Sequence, residues 1–161
     1  KEYPQNHYTL LWVVESLGNV HKGLGNYKEA KKILNECLTA YERHYGGKNH
    51  EGIARVLLDL GCVCLDEGRI DSAEKYIRKS LEIFQHNKHS LSYESLENLS
   101  AVYLKKSTDE RNKGNIQQAQ NFEAQSASYL KQALEIIKTN FPEDSPHLIR
   151  IQGKLKNLSQ E

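Results

Sequence analysis

The stretch Leu60–Cys64 (LGCVC), followed by Gly68–Ala73 (GRIDSA), decides the fold because related stretches recur along the chain. An earlier copy is Leu17–His21 (LGNVH), followed by Gly25–Ala30 (GNYKEA). The first glycine of one copy lies 43 residues from its counterpart, and the closing alanines are also 43 residues apart. Because the glycines and the alanines recur at the same 43-residue spacing, they indicate a structural repeat.

A third copy, Leu99–Tyr103 (LSAVY), is followed later than expected by Gly114–Ile116 (GNI). Around each copy, apolar residues recur every three or four positions, which predicts amphipathic helices. We therefore predict an all-α fold, a right-handed α–α solenoid of three helix–turn–helix units plus a C-terminal closing helix. The predicted repeats cover about 7–47, 48–88 and 89–141 of a single domain 1–161, and the closing helix covers 145–160.

The composition narrows the possible functions. Of 161 residues, 38% are hydrophobic and 27% charged, with a net charge of +1, so no overall field favours nucleic acid or an acidic membrane. No apolar run approaches the roughly 18 residues of a membrane span. Three cysteines at poor disulfide or zinc spacing fit a reducing cytoplasm. The chain starts at Lys1 and lacks Met, so we expect a fragment of a longer protein.

The small residues of the repeat predict where helices pack closely. A glycine inside a helix costs about 1 kcal/mol relative to Ala, so Gly18 and Gly61 are expected at helix crossings, opposite Ala30 and Ala73. The leucines that precede Gly18, Gly61 and the equivalent Ser100 are expected to fill the core inside each repeat; they are Leu17, Leu60 and Leu99. Predicted helix N-caps are Asn26 (with Glu29), Asn49 and Ser145.

The Leu-Gly…Gly-x-[Tyr/Ile]…Ala pattern resembles the tetratricopeptide repeat (TPR). The long period, and the link Tyr45–Ala54 (YGGKNHEGIA), are similar to the roughly 42-residue repeats of kinesin light chains. That family normally has Pro after the link histidine, where this chain has Tyr8, Glu51 and Ser90. The resemblance implies a non-enzymatic protein–protein interaction scaffold.

The third repeat is longer than the others by about seven residues in each arm. Seven residues are about two helical turns, so both helices could lengthen and keep the same buried face. We predict a projecting hairpin over 105–122, with Phe122 as an exposed contact. The alternative is a mobile loop at 107–115 followed by one long helix.

The histidines and carboxylates form no recognisable catalytic or metal-binding pattern. His7, His50 and His89 each lie 11 residues before Gly18, Gly61 or Ser100, which favours link packing or helix capping. Nucleotide-binding loops and Ser-His-Asp arrangements are absent. We expect no catalysis, no metal and no cofactor.

The residues expected to bind a partner lie on the concave face formed by the first helix of each repeat. Counting from Gly18, Gly61 and Ser100, this face carries Trp12, Glu15, Asn19, Lys22, Arg55, Asp59, Cys62, Glu94, Glu97, Asn98 and Lys105. Its carboxylates disfavour an acidic peptide end and suit a basic or mixed-charge protein segment; nucleic acid and membranes are not expected partners. Trp12 could instead cover an open end of the first repeat. A structural role with self-association through end helices, or a regulatory sensor segment in a larger protein, stays open as an alternative.

Overall fold

The computed structural model describes residues 7–47 and 49–158, with side chains from residue 10 onward. Within these ranges the regular structure is entirely helical. The helices are α1 (His7–Gly23), α2 (Tyr27–Tyr45), α3 (Glu51–Asp66), α4 (Ile70–His86), α5 (Ser92–Asn112), α6 (Ile116–Asn140) and α7 (Pro146–Leu158). The chain divides into two compact units, Lys1–Ile83 and Phe84–Glu161.

In the first unit, the repeat glycines lie where paired helices touch. A Cβ on Gly61 would lie 2.5 Å from Ile77 Cγ1 and 3.3 Å from the Ala73 carbonyl oxygen, so α3 and α4 meet as predicted. A Cβ on Gly18 would lie 2.8 Å from Leu34, so on α2 the nearest side chain is Leu34 rather than Ala30. The missing side chain therefore permits both close approaches.

Helix α2 also packs along α3. At one end of α3, the ring of Tyr41 covers Gly52 so closely that a Cβ would overlap it. At the other end, Lys31 Nζ lies 2.7 Å from the Glu67 carboxylate. The two contacts show that α2 and α3 are antiparallel and in contact over most of their lengths.

The expectation that Leu17 fills the core is wrong. Its side chain is 49% exposed, whereas Leu60 and Leu99 are buried. The reason is that the Leu60 face of α3 is covered by α2, while no helix in the described part of the chain covers the same face of α1. Leu17 and Leu60 are therefore equivalent positions in the 43-residue repeat, but they have different neighbouring helices.

Two of the predicted caps are wrong, and a link histidine replaces one of them. Asn26 makes no side-chain cap hydrogen bond, and α3 begins after His50 rather than Asn49. His50 Nδ1 accepts from the Gly52 N–H at 3.0 Å, and His89 Nδ1 accepts from the Leu91 N–H at 3.2 Å. The predicted capping role is thus confirmed at His50, while the side chain of His7 lies outside the described residues.

The helix boundaries at Gly46 and at the predicted cap Ser145 carry clear local signals. Gly46 ends α2 with φ +62°, and its N–H donates to the Glu42 carbonyl. Ser145 Oγ accepts from the His147 N–H at 3.3 Å just before α7. Left-handed backbone favours glycine, and a hydroxyl before Pro suits a helix start, so both signals could be read from sequence.

In the second unit, α5 and α6 form the long hairpin. Ser100 and Ser126 replace the glycine–alanine contact of the earlier repeats, and their hydroxyl oxygens are 2.7 Å apart. Helix α5 continues to Asn112 and α6 begins at Ile116, so both arms are helical and the loop alternative is wrong. Hydrogen bonds from Ser107 Oγ (2.7 Å) and Arg111 to the Glu123 carboxylate hold the extension together.

Phe122 is half-buried rather than an exposed contact. Its ring packs edge-on against Tyr103, with centroids 5.7 Å apart. The lengthened arms therefore use Phe122 to stabilise their own pairing, because the apolar face of α6 turns toward α5.

Candidate protein-binding faces

In the first unit, the side chains that α1 and α3 direct toward each other form what we call the unit-1 face. Arg55 Nε lies 3.1 Å from Glu15 Oε1, and Arg55 Nη2 lies 3.3 Å from Glu15 Oε2 and from the Tyr41 hydroxyl. Glu15 is buried, so this pair is largely shielded from solvent. The sequence placed Glu15 and Arg55 on one face, and the structure brings them into contact.

A second pair lies one helical turn further along the unit-1 face. Asn19 Nδ2 donates to Asp59 Oδ2 at 2.8 Å. One N–H of the Asn19 amide and one oxygen of Asp59 are therefore occupied within the chain. Lys22 and Cys62 are half-buried, and Trp12 is 56% exposed. Of the residues that the sequence places on this face in the first unit, Trp12 is the large side chain that is exposed to solvent.

In the second unit, α5 and α7 form the equivalent unit-2 face. Arg150 Nε and Nη2 donate to the two oxygens of Glu97 at 2.8 and 2.7 Å, and Lys154 Nζ lies 2.8 Å from Glu97 Oε1. Arg150 and Lys154 were not among the residues predicted for this face, because α7 carries no copy of the repeat pattern and was predicted only as a closing helix. Their spacing of four residues, which places two cations on one side of a helix, was the available signal.

The remaining predicted residues of the unit-2 face lie on α5. Glu94 Oε1 accepts a hydrogen bond from the Tyr93 hydroxyl at 3.1 Å. Asn98 Nδ2 donates to the Glu94 carbonyl oxygen at 2.9 Å, so part of its capacity is used within its own helix. Lys105 is exposed.

The two buried glutamates differ in their titration. Burial raises the pKa of Glu15 more than the Arg55 guanidinium and the Tyr41 hydroxyl lower it. Burial acts on Glu97 as well, but hydrogen bonds from Arg150 and Lys154 outweigh it and lower the pKa of Glu97. Two cations therefore hold Glu97 in its charged form, and the unit-2 face is less acidic than its sequence suggests.

A pocket of about 220 Å³ opens on the unit-2 face. Its apolar surface comes from Ala101, Leu104, Leu130 and Leu158, and its polar lining from Glu97, Ser100, Lys154 and Asn157. Small-molecule sites typically measure about 300–1,000 Å³, so this pocket is small for a cofactor. It suits one apolar side chain, flanked by a carboxylate, an ammonium and an amide.

Within residues 7–47 and 49–158, no group of three or more His, Cys, Asp and Glu is placed to hold a metal ion. The helices described there are too short or too polar to cross a bilayer.

Comparisons with known proteins agree with the repeat pattern. The family model for the tetratricopeptide repeat matches residues 9–86. Among solved structures, the chain is similar to the nearly identical TPR-like repeats of a Podosopora anserina protein assigned as a kinesin light chain. The TM-score is 0.53 and the identity 14%, over 94% of this chain and 86% of that one. No curated protein matches the sequence. Residues 9–86 thus match the tetratricopeptide repeat, and the all-α helical hairpins of the chain have the repeat fold of the structure that it resembles.

Proposed function

We propose that this chain is a non-catalytic, cytoplasmic module that binds an extended or helical protein segment on its first-helix faces. Tetratricopeptide repeats, which residues 9–86 match, are in general protein–protein interaction modules. The observation that carries the proposal is the pocket of the unit-2 face. It offers an apolar cleft beside Lys154, Glu97 and Asn157, which are groups able to bind a peptide backbone or charged side chain.

The charges of this face indicate the chemistry of the segment. Arg150 and Lys154 neutralise the charge of Glu97. A strongly basic peptide would therefore be attracted to this face less than the number of its carboxylates suggests. A mixed-charge segment with one large apolar anchor fits better, because the anchor fills the pocket while charges of both signs find partners at its rim.

Short random peptides displayed on phage, selected against the immobilised chain, test this proposal. We expect enriched peptides to share an apolar anchor. Ala101→Phe, which fills the pocket, should weaken their binding at least about tenfold, equivalent to ~1.4 kcal/mol. Ala124→Phe makes the same change at an exposed position of α6 and should leave binding unchanged. Enriched peptides without an apolar anchor, or equal binding by Ala101→Phe, would contradict the proposal.

The unit-1 face contributes through Trp12. Trp12 lies three residues before Glu15 on α1, its exposed indole offers a large contact area, and tryptophan is enriched among residues that dominate binding energy. Because Trp12 is the only Trp, its fluorescence reports directly on a segment bound at this face. We expect a shift in its emission with peptides that contact the unit-1 face, and lost affinity for those peptides in Trp12→Ala.

A further inference from the structure

The lining of the unit-2 pocket is shared between the well-buried α5–α6 hairpin and the lightly buried α7. Lys154, Asn157 and Leu158 of α7 line the pocket, and the other lining residues belong to α5 and α6. Of the thirteen residues of α7, Ile151 alone is buried, whereas α5 buries ten of its twenty-one. An element with few buried contacts is the kind that opens locally while the rest of its domain stays folded. The pocket therefore depends on a weakly packed helix.

Polar groups tie α7 to α5. The carboxylate of Glu97 accepts from Arg150 and Lys154, and the Nδ1 atom of His147 lies 3.2 Å from the Tyr93 hydroxyl. The side chains of Arg150 and Lys154 are 44% and 47% exposed, so solvent screens both ion pairs. These two cations lie four residues apart, which disfavours the helix unless a carboxylate lies beside them. The helical state of α7 is thus coupled to its contact with Glu97.

Gly153 weakens α7 further, and packing does not require it. A Cβ on Gly18 or Gly61 would overlap a side chain of the facing helix, whereas a Cβ on Gly153 would meet no atom within 4 Å. Alanine in place of a glycine inside a helix shifts the helix equilibrium about fivefold toward the helix. The surroundings of α7 would therefore permit a more stable helix than the one that the sequence encodes.

We propose that α7 is a movable wall of the unit-2 pocket. It docks on and undocks from the α5–α6 hairpin while that hairpin stays folded. Only the docked state brings Lys154, Asn157 and Leu158 to the apolar lining contributed by α5 and α6. This role rests on the proposed function, because it controls the same pocket. A segment bound there in turn holds α7 in place, since a ligand stabilises the state that binds it.

Amide hydrogen exchange of the free chain tests the undocking. After correction for intrinsic rates, we expect the amides of α7 to exchange at least about tenfold faster than those of α5 between Leu96 and Tyr103. Gly153→Ala should slow exchange in α7 about fivefold and leave α5 unchanged. Asn121→Ala, the matched helix-favouring change at an exposed position of α6, should leave exchange in α7 unchanged. Equal protection of α7 and α5, or no effect of Gly153→Ala on α7, would overturn the proposal.

Binding of a phage-selected peptide tests the control of the pocket. Arg150 lies outside the pocket lining, and Arg150→Glu places a second carboxylate beside Glu97. This change should undock α7 and weaken peptide binding about tenfold, because affinity falls with the fraction of chains that are competent to bind. Adding Gly153→Ala to this variant should recover affinity by up to about fivefold, although the new methyl group contacts nothing. In the wild type, the bound peptide should slow amide exchange in α7.

The outcomes separate this proposal from the proposed function. If no peptide with an apolar anchor is enriched, the pocket is not a binding site and the role of α7 in binding is refuted with it, while exchange still decides whether α7 undocks. Peptides that bind equally to Arg150→Glu, or a loss that Gly153→Ala does not reduce, would show that binding is independent of α7. Amide protection of α5 in Arg150→Glu reports folding of the hairpin. Its loss would show that α7 is an integral part of the hairpin and would also overturn the proposal.

Discussion

The Arg150 guanidinium on α7 donates to both oxygens of Glu97 on α5, with Nε–Oε1 and Nη2–Oε2 distances of 2.8 and 2.7 Å. The first unit repeats this arrangement, because Arg55 donates to both oxygens of Glu15 from the next first helix along the chain. Glu15 and Glu97 lie at equivalent positions, three residues before Gly18 and Ser100. In each unit a carboxylate–guanidinium pair thus joins one helix to the helix two places further along the chain, α1 to α3 and α5 to α7.

Removing the guanidinium from the unit-2 face should destabilise the second unit. We expect Arg150→Ala to lower the free energy of unfolding by about 1–2 kcal/mol, because Glu97 is buried while Arg150 is partly exposed and screened by solvent. Urea unfolding at neutral pH measures the change. Lys138→Ala, which removes an exposed pair with Glu135, should cost at most a few tenths of a kcal/mol. Equal effects of the two variants would contradict the assigned role of Arg150.

The cap at His50 should make the stability of the first unit depend on pH. Burial lowers the pKa of His50 below its ordinary value of 6.5, with Glu51 acting in the opposite direction. The unfolded chain therefore takes up the proton first, and stability is lost as the pH falls below about 6.5 toward the folded pKa. Protonation also removes the Nδ1 lone pair that accepts from Gly52, a cap worth about 1 kcal/mol.

Urea unfolding at about pH 7.5 and about pH 5.5 checks this prediction. His50→Asn keeps a side-chain acceptor, so it should retain most of the stability at the higher pH and lose less of it at the lower pH. His86→Asn, at the exposed end of α4, should keep the wild-type pH dependence. A His50→Asn variant with unchanged pH dependence would rule out this titration as the cause.

The close approach at Gly61 should not tolerate a methyl group. A Cβ there would lie 2.5 Å from Ile77 Cγ1, so we expect Gly61→Ala to lower the free energy of unfolding by about 1–3 kcal/mol. Gly153→Ala is the matched control in α7, where no atom lies within 4 Å of the added Cβ. It should be neutral or stabilising by up to about 1 kcal/mol, since Ala is the better helix former. Thermal unfolding measures the stability of both variants. Destabilisation by Gly61→Ala alone would show that the cost comes from packing against Ile77 and not from helix propensity.

The sequence predicted the fold because it carries repeated local signals. The recurrence of Gly18 at Gly61 identified the packed helix pairs, and Ser145 before Pro146 predicted the start of the last helix. The seven-residue excess in each arm of the third repeat was enough to predict a helical hairpin. The division into repeats at 7–47, 48–88 and 89–141 stays a prediction.

The predictions were wrong or incomplete where the burial or pairing of a side chain depends on which helix packs against it. Leu17 and Leu60 occupy one repeat position, but only Leu60 has a helix laid over it. Helical periodicity placed Glu15 and Arg55 on one face without showing that they pair, because pairing across 40 residues depends on the tertiary fold. Arg150 was missed for the same reason, since α7 carries no repeat glycine to align it.

The extension of the third hairpin should be ordered and held by its polar contacts. Ser107 and Arg111 both donate to Glu123, and Lys113 and Asn115 both donate to Glu110 at the turn, at 2.8 and 2.7 Å. Amide hydrogen exchange should therefore show protection across 105–122 except near the turn at Gly114.

The double variant Ser107→Ala with Arg111→Ala removes two of these contacts. It should speed amide exchange across 105–122 by about tenfold, equivalent to ~1.4 kcal/mol of lost local stability. Exchange near the Ser100–Ser126 contact should not change, because apolar packing deeper in the hairpin is untouched. Rapid exchange across 105–122 in the wild type would show that the arms are unpaired in solution, and an unchanged double variant would show that Ala119 and Phe122 suffice to hold them.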